Sequence, residues 1–165
     1  MKIFGKPSAE DPAVFWRETA AKRGGTIGFL TFASLLGGTA DGMSDTSGIL
    51  YTVGESVWFE DFERNDWLRR IAGGKSTFVK TEITFTRSEV AFTRLVTRGA
   101  ALACIAGKVP PADLSAASRL ARLLGTPFVE VGMRDGSALF LDVIRRSEFM
   151  AVLGGASVKP ASLPG

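Results

Sequence analysis

The chain has 165 residues, 45% of them hydrophobic, with twelve Phe and three Trp; this is enough apolar volume for one domain with its own core and excludes a disordered chain. It contains no histidine and one cysteine, which excludes Ser-His-Asp and Cys-His nucleophile pairs, histidine-ligated metals, thiolate clusters and an intramolecular disulfide. The net charge of +3 is uneven: residues 1–63 hold five basic and nine acidic side chains, residues 64–98 eight and three, and residues 99–165 seven and five, so a basic middle follows an acidic start.

Residues 1–10 carry no apolar run, so no secretory leader is expected. The most apolar stretch, Ile27 to Leu36, is about ten residues, half of what a membrane span needs. A cytoplasmic, non-transmembrane chain is the expectation, with Cys104 in ALACIAG a buried small hydrophobe suited to a reducing compartment. Asp11 and Pro12 are good N-cap and first-turn residues for a helix running to Lys22 and Arg23, which suit the negative end of its dipole. Gly24-Gly25 stops it, and Phe15 and Trp16 are its expected anchors.

Thr26 to Leu36 reads as a strand apolar on both faces, and residues 37–48, GGTADGMSDTSG, as a long polar loop and a second candidate site. Asp41 and Asp45, with Ser44, Thr46 and Ser47, offer oxygen to a hard cation, but the spacing is not that of an EF-hand. Residues 49–63 read as a hairpin turning at Gly54-Glu55, a pair suited to type II′. On its second strand Val57, Phe59 and Asp61 point one way and Trp58, Glu60 and Phe62 the other, and the alternation leaves open which face is core.

Asn65 to Ala72 fits a short helix. Thr77 to Arg87 alternates as a half-buried antiparallel strand, with Val79, Thr81, Ile83 and Phe85 on one face. After a turn at Arg87-Ser88-Glu89, Val90 to Thr97 runs back. Ala100 to Ala106 reads as a buried strand. Beyond Pro110-Pro111, Asp113 is set to cap a helix from Leu114 to Leu124, with Leu114, Ala117, Ala121 and Leu124 on its apolar stripe. Phe128 to Met133 and Ala138 to Val143 pair across Arg134-Asp135-Gly136-Ser137, with Val129, Val131, Leu139, Leu141 and Val143 facing the core. Arg145 to Leu153 is a last helix anchored by Phe149 and Val152, and residues 154–165 a loose tail. A single domain with its core at about 11–153 follows.

Recognisable chemical motifs are few. GGKST, residues 73–77, resembles the end of a phosphate-binding P-loop, but Arg69 stands where its first glycine belongs and the strand-then-helix order is reversed. Glu60 and Asp61 are strand neighbours on opposite faces, badly placed to share acid–base work. Arg94 to Arg98 has the R-x-x-x-R form of PilZ domains, which bind cyclic di-GMP. Asp113-Leu-Ser115-Ala-Ala-Ser118 is similar to their D-x-S-x-x-G, with Ser118 in place of glycine and a helix, not a strand, expected to follow.

Residues 48–62, GILYTVGESVWFEDF, resemble the start of GRAM and bacterial pleckstrin-homology-like (PH-like) domains, in which such a segment turns into a second strand ending in an aromatic pair. The resemblance implies an α+β fold: an antiparallel bent sheet or partly open barrel of about seven strands with a C-terminal helix closing one end, to which the N-terminal helix and the inserted helix at 114–124 are additions. It also implies a non-enzymatic binding module, without cofactor, for a protein partner or an anionic lipid or phosphate surface. Candidate anion-binding residues are Arg64, Arg69, Arg70, Lys75, Arg94 and Arg98. Trp58 and Phe62 are candidates for a partner surface or a homo-oligomer contact. The alternatives are a cyclic-dinucleotide receptor using Arg94 and Arg98, or a small enzyme without His or Cys chemistry. The basic residues lack interleaved aromatics, Trp67 excepted, which argues against nucleic acid.

Overall fold

Period-two alternation and glycine turns make this chain pair with itself locally before anything else. The computed structural model describes residues 12–61 and 81–154. In chain order these form α1 (Pro12–Lys22), β1 (Ile27–Gly38), β2 (Gly42–Val53), β3 (Ser56–Asp61), β4 (Glu82–Thr86), β5 (Val90–Val96), α2 (Arg98–Ile105), α3 (Arg119–Leu124), β6 (Phe128–Met133), β7 (Ala138–Val143) and α4 (Arg146–Val152). Among the described residues seven strands make one antiparallel sheet in the order β4-β3-β2-β1-β7-β6-β5.

β1 ties the two halves of the sheet together. Along most of its length it pairs with β2, and from Ala33 to Gly38 it also pairs with β7. At its bend one residue, Leu36, faces two on β2, Ser44 and Asp45, a bulge that increases local twist. Gly37 sits there at φ 146°, where a Cβ would lie 2.2 Å from the Gly42 carbonyl oxygen. Gly48 is pinched in the same way, since a Cβ there would lie 2.1 Å from the Glu60 carbonyl oxygen. The sheet curls into a half-barrel, so side chains from both of its ends share one core: Phe85 of β4 and Val90 of β5 join Phe29, Leu50, Phe59, Val131 and Leu141. α4 closes the interior by placing Phe149, fully buried, against the Phe29 ring at a centroid distance of 5.9 Å.

Two covers lie on the outside of the curl. α1 lies over the β2–β3 side, where Trp16 meets the Tyr51 ring edge-on at 5.6 Å. The segment between β5 and β6 covers the other side. There Ala101, Cys104 and Leu114 bury Leu36, Val96, Phe128, Ala138 and Phe140 in a second apolar cluster. β6 is thus buried on both faces.

The hairpins at 49–61 and 128–143 and the final helix stand as expected from the sequence. The turn at Gly54 has φ 56°, which fits type II′. The core face of β3 is settled: Val57, Phe59 and Asp61 point inward and are buried, and Asp61 accepts the Thr81 backbone N–H at 3.0 Å.

Other expectations are corrected. Residues 37–48 are not a long loop, because β1 continues to Gly38 and β2 begins at Gly42; backbone pairing with β1 holds these small polar residues extended. Ala100 to Ala106 is helix, not strand: Thr97 caps α2 by accepting the Ala100 N–H, and Ala101 and Cys104 form its buried face. Asp113 does not cap a helix from Leu114. It ends a short 3-10 turn, Ala117 donates its N–H to the Leu95 carbonyl, and only Ser118 begins a helix, accepting the Ala121 N–H at 3.1 Å. Leu114 and Ala117 are nevertheless buried. β5 does not run back along β4; it crosses to the far edge of the sheet and pairs with β6. Phe15 is largely exposed, and it is the Trp16 ring that meets the sheet. Asp11, the helix at 65–72, residues 77–80 and the tail beyond Gly154 lie outside the described residues.

Candidate functional site

The sequence-derived anion-binding residues fall into three groups. Arg64, Arg69, Arg70 and Lys75, and with them Phe62, lie outside the described residues. Arg94 is engaged within the fold. From the outer face of β5 its guanidinium reaches Glu130 of β6, with Nε 2.6 Å from one carboxylate oxygen and one terminal nitrogen 3.0 Å from the other, and it also donates to the Pro111 carbonyl. Glu130 is fully buried by the cover above it. Arg94 and Glu130 are thus paired across neighbouring strands, the bond to the Pro111 carbonyl ties the cover to the sheet, and the Arg94 guanidinium also lies over the Phe92 ring at 4.9 Å. The nearby Cys104 thiol is pushed up by burial, with the Glu130 charge adding to the effect.

Arg98 is exposed at the first turn of α2. It borders a cavity of about 520 Å³ lined also by Thr97, Ala121, Gly125, Thr126, Pro127, Phe128 and the carboxylate-bearing Asp142, so α2 and α3 meet across one opening. α3 carries two further exposed cations, Arg119 and Arg122, between leucines that face water: Leu120 is 64% exposed and Leu123 81%. The whole cover, residues 97–127, holds four basic and one acidic side chain. An apolar pair exposed within a basic surface costs free energy in water and gains it against a surface that is anionic at its boundary and apolar beneath. The apolar stripe expected from the sequence, Leu114, Ala117, Ala121 and Leu124, left Leu120 and Leu123 without a role. The signal was present in RLARLL, where Leu120 and Leu123, one turn apart, each follow an arginine.

Trp58 lies on the outer face of β3 under α1. The Arg23 guanidinium, just beyond the end of α1, sits 3.7 Å above the centre of its ring and donates to Glu60 and Glu82, each at 2.9 Å. Tyr51, opposite Trp58 in the β2–β3 register and nearly parallel to it, donates its hydroxyl to Glu60. Burial and then the Glu60 hydrogen bond push the Tyr51 hydroxyl up to about 12. Burial alone would lower the Arg23 value, but the bonds to Glu82 and Glu60 outweigh it and hold the guanidinium charged well above its ordinary range. The sequence pointed to Trp58 as a surface aromatic and to Arg23 as a helix-end charge, and the fold joins them.

No family model, no curated protein and no solved structure matches this chain.

Among the described residues no three His, Cys, Asp or Glu side chains come together as a metal site, and no helix is long and apolar enough to cross a membrane.

Proposed function

We propose that this chain is a non-enzymatic binding module of the PH-like kind, and that it docks on an anionic phosphate-bearing surface, a phospholipid bilayer, through the basic face of the cover between β5 and β6. The observation that carries this reading is the pair Leu120 and Leu123, each exposed and each following an arginine on α3, which borders the same opening as Arg98. Arginines give bidentate contacts to phosphate, and leucines give the apolar contact that water cannot. The seven strands curled about one core with a helix closing it support the resemblance on which the module reading rests. Arg94 adds little to this surface, since Glu130 and the Pro111 carbonyl hold it, and the cyclic-dinucleotide alternative keeps only Arg98.

Vesicle co-sedimentation tests the proposal. The chain should bind vesicles rich in phosphatidylglycerol and leave neutral phosphatidylcholine vesicles in the supernatant, with binding that weakens as salt rises. Arg98→Glu, Arg119→Glu and Arg122→Glu together should lower affinity by about a hundredfold or more, at roughly 1 kcal/mol per surface cation. Leu123→Ser should lower it with the charge intact. Equal binding to neutral and anionic vesicles, or no loss in the triple variant, would show that the surface is used for something else, such as a protein partner.

A further inference from the structure

The outer face of β2, β3 and β4 carries a second constellation, unrelated to the basic face. Two aromatic rings, Trp58 and Tyr51, and two carboxylates, Glu60 and Glu82, converge on one point, and that point holds a guanidinium. Stacking flat on an indole is what a guanidinium does and an ammonium does less well, and here one terminal nitrogen of that guanidinium donates to both carboxylates. The occupant is the chain's own Arg23, and it is delivered on a lightly held element. α1 shows most of its side chains to water, Val14 and Phe15 among them, and neither buried cluster contains an α1 residue. Between Arg23 and β1 stand two glycines, Gly24 at φ 78° and Gly25, a natural hinge.

The fit of Arg23 is also incomplete. Its Nε and the Trp58 Nε1 are buried without a hydrogen-bond partner among the described residues. A peptide approaching from outside could bring backbone carbonyls to satisfy the indole N–H, which Arg23 at the end of a helix does not do.

We propose that this face is an arginine-binding cage, filled in cis by Arg23, which accepts an arginine side chain from a partner peptide when α1 swings away on Gly24-Gly25. α1 then acts as a competitive cover: the cis arginine, at the high effective concentration of a tethered ligand, sets the threshold that a partner must exceed.

The test uses the full chain and the tripeptide acetyl-Gly-Arg-Gly-amide, with binding followed by tryptophan fluorescence and by amide chemical shifts of β3. Arg23→Ala should bind the probe at least about tenfold more tightly than the unchanged chain, since the tethered competitor is gone. The lysine analogue of the probe should bind Arg23→Ala more weakly, and Arg23→Ala with Glu60→Gln should lose most of the gain. If Arg23→Ala does not fold by circular dichroism, Arg23→Lys serves in its place, because it keeps a charge and an apolar stem but not the planar fork, and it too should bind more tightly than the unchanged chain. Equal affinity in the unchanged chain and the folded variant, or a gain insensitive to Glu60→Gln, overturns the cage.

Discussion

Replacing Arg94 with Met isolates the clamp between the sheet and its cover. The methionine keeps much of the apolar stem but removes three donated hydrogen bonds, two to Glu130 and one to the Pro111 carbonyl. Glu130 is 0% exposed, so its carboxylate would be left charged and unpaired in the interior. Breaking a buried pair by deleting one partner costs about 3–5 kcal/mol. The Arg94 side chain is itself 22% exposed, which screens part of the attraction and places the expected loss near the lower end, about 3 kcal/mol. For a domain of this size that is a large share of a total stability of about 5–15 kcal/mol, and it lowers Tm by roughly 6–12 °C.

Urea unfolding at neutral pH measures the loss directly, as a fall in midpoint at unchanged slope. The double variant Arg94→Met with Glu130→Met separates pair from packing. It removes the orphaned charge and should recover much of the loss, leaving about 1 kcal/mol for the Pro111 carbonyl and imperfect packing. A loss below about 1 kcal/mol in the single variant, or a double variant less stable than the single one, refutes the view of this pair as a buried clamp.

Three further outcomes follow from local geometry. Gly48→Ala should destabilise by at least about 2 kcal/mol in the same assay, because its Cβ would meet backbone of β3 rather than a movable side chain. Gly99→Ala, in the first turn of α2 with nothing near its Cβ and no positive φ, should be neutral or stabilise by up to about 1 kcal/mol. Tyr51 is the chain's one tyrosine, so ultraviolet absorbance of tyrosinate reports it alone. Its hydroxyl should ionise near pH 12 in the folded chain against 10.0 unperturbed. Because the folded value is raised, that part of the stability is present below pH 10 and is lost as pH climbs toward 12; Tyr51→Phe should flatten the alkaline limb of the stability profile.

The sequence made legible those parts of the fold whose signals are local. Period-two runs bounded by Gly54-Glu55 and by Arg134 to Ser137 became hairpins, the second with its expected face in the core, the first with a face the sequence left open, and Phe149 anchored the last helix. What failed was whatever tertiary pairing decides. Residues 42–48 have loop composition, yet β1 pairs with them on both sides of the bulge at Ser44 and Asp45, so they are strand. Ala100 to Ala106 is a short apolar run, for which period cannot separate strand from helix, and the Thr97 cap decided it. Arg23 looked like a helix-end cation because its partners, Glu60 and Glu82, lie 37 and 59 residues away. Glu130 looked like the polar member of an alternating strand, and only the cover makes it interior.

The two covers differ in a way that bears on how each proposed surface works. The cover between β5 and β6 is part of the folding unit, since removing it would uncover Val96, Phe128 and Phe140 together with the Glu130 charge. α1 adds no residue to either buried cluster and meets the sheet through the Trp16 ring, with Arg23 just beyond its end, and lifting it exposes a patch that is half aromatic and half charged. Amides of α2 should therefore exchange only with opening that approaches global unfolding, while amides of α1 exchange through a local event of much lower cost. A surface carried on the first cover is fixed and always presented. A surface beneath the second is available only to a ligand that competes with Arg23. The same curled sheet thus holds a constitutive basic face on one side and a gated acidic-aromatic face on the other.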